Sequence, residues 1–102
     1  MKIIQKLSEM IDEEIDDANR YAECALKNKA DYPKAAEVFH RLSEEEIGHA
    51  NMLHDVAAAM ISDYRKANGD PPAEMLAVYN YLHEKQIRKA AEVKALQGMY
   101  KQ

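Results

Sequence analysis

Cysteine is nearly absent, with Cys24 standing alone. One thiol cannot close a disulfide within the chain or build a multi-cysteine metal site. Its neighbours Ala22, Ala25 and Leu26 predict a buried, structural thiol. Glycine and proline are also scarce, at three of each, too few for an all-β fold of many turns. The longest apolar run, Val56 to Ile61, is far shorter than a bilayer span, so no membrane partner is expected. The net charge is −4 and no basic patch or arm exists, so nucleic acid is not an expected partner. The N-terminal residues show no signal-peptide pattern, and the expected location is the cytoplasm.

What is present is helix-forming and globular. Ala, Glu, Lys, Leu and Met dominate. Apolar residues at 47% and charged residues at 31% place the chain among folded proteins rather than disordered ones. Its 102 residues suit a single domain, 1–102, with one core that association with a second chain would enlarge. The methionines are expected to fill gaps in that core.

Breakers fall in two places. At Asp31-Tyr32-Pro33, Asp31 is placed to cap a helix that Pro33 opens. Asn68-Gly69-Asp70-Pro71-Pro72 is a stop followed by a new start. Three helices follow, over about 3–28, 33–67 and 72–100. The fold class is all-α. At ~1.5 Å per residue the middle helix would run about 50 Å, which favours a bundle shared between chains.

Alternating steps of three and four pick out one seam per helix. The first reads Ile4, Leu7, Ile11, Glu14, Ala18, Tyr21, Ala25. The second reads Ala35, Phe39, Leu42, Glu46, His49, Leu53, Val56, Met60. Glu14 and the Glu46/His49 pair interrupt otherwise apolar seams. The short loop predicts an antiparallel hairpin, which brings these three residues to one height.

A carboxylate in a helical core needs a partner or a metal. Glu-x-x-His sets a carboxylate and an imidazole about one turn apart on one face. Glutamate oxygens suit iron or manganese, and imidazole suits iron. Bundle-core di-iron sites use a Glu from each of two helices and Glu-x-x-His from each of two others. Glu14, Glu46 and His49 are therefore half of such a site. Glu37-Val38-Phe39-His40 has the same spacing, but its stripe through Pro33 and Glu44 is polar, so Glu37 and His40 are expected to be solvated. His54 is expected to be partly exposed and not to bind metal.

Glu14 through Tyr21 resembles the first-helix Glu-x-x-Ala-x-x-Tyr type segment of rubrerythrin, within the ferritin-like family. Phe39 through Glu46-Ile47-Gly48-His49-Ala50 resembles its second-helix Glu-x-x-His-Ala segment. The resemblance covers about residues 9 to 58. It implies iron as the cofactor, as a di-iron centre; the donor chemistry leaves manganese or zinc open as other occupants. The resemblance implies Glu14, Glu46 and His49 as ligands, with Tyr21 packed beside the site. A rubrerythrin has four bundle helices and two such half-sites, often with a Cys-rich rubredoxin module. Here the sequence holds one half-site and no such cysteines, so the electron donor is expected to be external. Encapsulated ferritins are similar, being short chains that complete an iron site at a dimer interface.

Two routes would complete the site. Two chains can pair their hairpins about a two-fold axis, giving a ferritin-like four-helix-type bundle by dimerisation, as a homodimer or higher even oligomer. Alternatively helix three supplies ligands, with Glu84 the better candidate and His83 the other. The implied activity is of ferroxidase or peroxidase type, in iron handling or oxidative-stress defence. The rival reading is a non-enzymatic helical oligomerisation protein in which Glu46 and His49 are a structural polar pair.

Overall fold

Pro33 and the stretch Asn68-Gly69-Asp70-Pro71-Pro72 interrupt the helical pattern, and the computed structural model, which describes residues 2–102, breaks at both. Helix α1 spans Lys2–Asn28, α2 spans Pro33–Asn68 and α3 spans Ala73–Tyr100. No strand occurs among the described residues. Pro33 occupies the first turn of α2, where its missing N–H leaves nothing unpaired. That places the capping position at Tyr32, which has no side-chain cap. Asp31, expected to cap, lies one residue too early to do so. Gly69 ends α2 with φ of 79°, a left-handed value that glycine adopts freely. Its N–H reaches the Arg65 carbonyl at 2.9 Å. No helix is long and apolar enough to cross a membrane.

α1 and α2 form the antiparallel hairpin, and the molecule measures 55 × 19 × 18 Å. The long dimension is about the length of α2 at ~1.5 Å per residue. α1 buries Ile4, Leu7, Ile11, Ile15, Ala18, Ala22 and Ala25. α2 buries Ala36, His40, Ser43, Ile47, Ala50 and Ala57. The seam expected on α2, from Ala35 through Glu46 and His49 to Met60, is therefore displaced by one residue. Of its members, Ala35, His49 and Val56 are exposed and the rest are half-buried. Both stripes have helical period, and the smaller side chains face α1. Ala36, Ser43, Ala50 and Ala57 recur every seven residues, and such small side chains let two helices approach closely.

α3 runs parallel to α1 and leans on α1 more than on α2. Val93, fully buried, packs into the cluster of Ile11, Ile15, Ala18, Ala22, Ile47 and Ala50. Polar contacts set its register. Gln97 Nε2 donates to Ser43 Oγ at 2.9 Å, and Ser43 donates to the Ala18 carbonyl at 2.7 Å. Gln86 Nε2 donates to the Ser8 carbonyl and hydroxyl at 3.2 and 3.1 Å. Lys89 pairs with Asp16 at 2.6 Å. At the C-terminal end Lys29 donates to the Tyr100 and Gln102 carbonyls.

Three expectations about burial are corrected here. His40 is buried, not solvated: the Tyr100 ring stacks on it at 4.4 Å, and Glu44 lies 3.2 Å from its Nε2. The cover comes from the far end of the chain, which a local stripe cannot reveal. Glu37 is exposed, as expected, and lies 3.7 Å from Arg41. Cys24 is half-buried, and Met10, Met52 and Met99 are exposed, so the methionines are not simply core filler.

Candidate metal centre

α3 covers one side of the hairpin, and the opposite flank carries the interrupted stripe. Glu14 sits one position from the buried Ile15 of α1, and Glu46 one position from the buried Ile47 of α2. Each carboxylate is thus held at the edge of the core by an isoleucine that faces inward. His49 stands one turn beyond Glu46 on the same stripe. Because the helices are antiparallel, all three reach one level.

The ligand atoms of Glu14, Glu46 and His49 lie within 4.8 Å of one another. His49 Nδ1 is 3.5 Å from Glu14 Oε2 and 3.7 Å from Glu46 Oε2. Side-chain exposure is 27% for Glu14, 18% for Glu46 and 55% for His49, so the carboxylates are sunk and the imidazole forms the rim. Glu14 Oε2 is buried and accepts no hydrogen bond. The three residues thus stand together on the hairpin's flank, not in its sealed core.

Glu46 titrates at about 6 instead of 4.5. The largest cause is the hydrogen bond that its protonated form can make to Glu14, followed by burial and by repulsion from the Glu14 charge. His49 pulls in the opposite direction, and Asp17 adds a smaller push upward. Two carboxylates so close resist joint ionisation unless a cation sits between them. The seam pattern does not single out Asp17, although it stands at i+3 from Glu14, on the same helix face.

The residue chemistry fits a metal. Two carboxylates and an imidazole offer hard oxygen donors with one nitrogen, a set suited to iron or manganese. An orphaned buried carboxylate oxygen within the cluster is the atom such an ion would satisfy.

The remaining candidates stand elsewhere. Tyr21 is half-buried on the same flank and stacks on Phe39, with centroids 6.5 Å apart and rings 18° from parallel. Glu84 is exposed on α3 and does not join the cluster. His83 meets His54 of α2 instead. Neither candidate from the third helix shares a level and a face with Glu14.

Comparison with known proteins gives one family match. The family model described as Rubrerythrin matches residues 6–101. No curated protein and no solved structure matches the chain.

Proposed function

The chain belongs to the rubrerythrin family, and from that premise we propose that it is a di-iron protein whose metal centre forms between two copies of the α1–α2 hairpin. The observation that carries this is the cluster of Glu14, Glu46 and His49 on the flank that α3 leaves open. A second copy related by a two-fold axis would bring the same three residues again. The sum is four carboxylates and two imidazoles, the donor set of bundle-core di-iron sites.

Iron bound there would supply the redox chemistry, of ferroxidase or peroxidase type, with an external electron donor. The protein's own residues do the rest. Glu14 and Glu46 offer oxygen donors, and their crowding is relieved only when positive charge arrives. His49 offers a nitrogen donor at the rim. Asp17 adds negative potential that attracts cations. The Tyr21–Phe39 stack and the half-buried Leu42 and Leu53 supply apolar surface on the same flank, which a partner would seal against water.

The rival reading makes Glu46 and His49 a structural pair. It leaves the Glu14 and Glu46 carboxylates crowded together with no cation between them, an arrangement that costs stability.

Anaerobic Fe(II) titration with light scattering tests the proposal. The expected result is about one iron per chain, bound to a two-chain or larger even species. A protein that stays monomeric and metal-free at saturating Fe(II) refutes it.

A further inference from the structure

The seam of α2 holds a second chemistry. His40, Ile47 and His54 recur every seven residues, alternating imidazole with isoleucine. Tyr100 covers His40, but His54 keeps 45% of its side chain exposed. It lies five residues past His49, which is about 140° around the helix and about 7.5 Å along it. It therefore faces the α3 side of the hairpin, away from Glu14 and Glu46.

α3 brings His83 to it. The two Nε2 atoms are 3.1 Å apart, while the ring centroids are 5.0 Å apart and the planes differ by 22°. The rings converge at their nitrogen tips.

We propose that His54 and His83 form a second metal site, a two-imidazole clamp for a borderline divalent ion of the zinc, copper or nickel class, joining α2 to α3.

Three observations carry it. The first is the bite. Metal–imidazole bonds of about 2.0–2.1 Å place tetrahedral nitrogen pairs about 3.3–3.4 Å apart, and right-angled pairs about 2.8–3.0 Å apart. The observed 3.1 Å falls between those values, so small ring rotations suffice and the backbone stays in place. The second is orientation. The Asp55 carboxylate lies 3.9 Å from His54 Nδ1, on the side away from His83. At 3.9 Å that carboxylate makes no hydrogen bond, but its charge favours hydrogen on Nδ1 and leaves the Nε2 lone pair for a metal. The third is room. Cavities of about 590 and 310 Å³ lie on α3's side of the hairpin, and both are lined by Ile11, His54, His83 and Gln86. They can hold the waters that complete a coordination shell, and Asn51, Asn80 and Gln86 line them as hydrogen-bond partners. The cationic wall residues Arg65, Lys66 and Lys94 stand eleven or twelve residues from the imidazoles along their helices, about 16–18 Å of helix rise.

The donor set separates this clamp from the first site. Neutral imidazoles without a coordinating carboxylate favour zinc, copper or nickel over harder ions. The clamp also sits where the fold is weakest, since α2 and α3 share the least contact of any helix pair. An ion that binds only the folded arrangement stabilises it by mass action.

The test is calorimetric zinc titration and thermal melting of the full chain, comparing wild type with His54→Ala, His83→Ala and the double variant. Each single variant should lose one zinc site or bind there at least about tenfold more weakly. Each should lose part of the zinc-dependent rise in Tm, and the double variant should lose no more than either single one. Unchanged zinc number and affinity in His83→Ala overturns the proposal. Anomalous scattering from a zinc-soaked wild-type crystal gives a reading independent of any variant. A peak between the two Nε2 atoms supports the clamp, and occupancy at Glu14, Glu46 and His49 alone overturns it.

Discussion

Glu46→Gln should stabilise the metal-free protein at neutral pH while abolishing its response to metal. Folding moves the Glu46 carboxyl from 4.5 to about 6, chiefly through Glu14. At about 1.4 kcal/mol per pKa unit, that displacement corresponds to about 2 kcal/mol. The carboxyl stands on an open flank beside a half-exposed imidazole, so solvent screening takes part of it. Because the folded-state value is the higher one, the folded protein holds the proton longer. Below pH 4.5 both states are protonated and Glu46 carries no penalty. Between 4.5 and 6 stability falls as pH rises, and above 6 the full penalty applies. The amide introduced by the substitution keeps a donor toward Glu14 and never ionises. The variant should therefore gain roughly 1–2 kcal/mol at pH 7, or roughly 4–10 °C in Tm, and the gain should vanish near pH 4. Thermal melts of both proteins in EDTA at the two pH values measure this, and shared titrations cancel in the difference. Added Fe(II) should then raise the Tm of wild type but not of the variant. A variant no more stable than wild type at pH 7, or one whose gain persists at pH 4, refutes the account of the crowded carboxylates.

Two further perturbations probe the scaffold. Ser43→Ala removes the hydroxyl joining the Ala18 carbonyl to Gln97, and should cost about 1–3 kcal/mol in urea unfolding because it strands buried polar groups. Val56→Lys changes a side chain that is 51% exposed in the single chain, so helicity should stay unchanged by circular dichroism. If the open flank is the pairing surface, the variant should run as a monomer by light scattering and lose iron binding with it.

The three helices were legible because Pro33 and Gly69 act locally, and neither needs the rest of the fold to stop a helix. The membership of the seams was less legible. α2 carries two adjacent stripes of helical period, one through Ala36, Ser43 and Ala50 and one through Leu42, Glu46 and His49. The larger side chains draw attention to the second stripe, whereas α1 and α3 pack against the first. Size misleads here because a close helix contact selects small residues. Glu14, Glu46 and His49 could be singled out because charge within an apolar stripe is conspicuous at any exposure. His40 and the His54–His83 contact could not, since both depend on where α3 returns along the hairpin.

The seven-residue recurrence of Ala36, Ser43, Ala50 and Ala57 makes the hairpin a calliper. Its jaws, Glu14 and Glu46, project from opposite helices, and the small alanine and serine side chains of the seam govern how closely the two axes approach. A methyl or two added at Ala18 or Ala50 would open the jaws without touching either carboxylate. The gauge of any ion bound between them would thus be written in residues that never contact it, and a lineage could retune its metal by trading small side chains in the seam while both carboxylates stayed fixed.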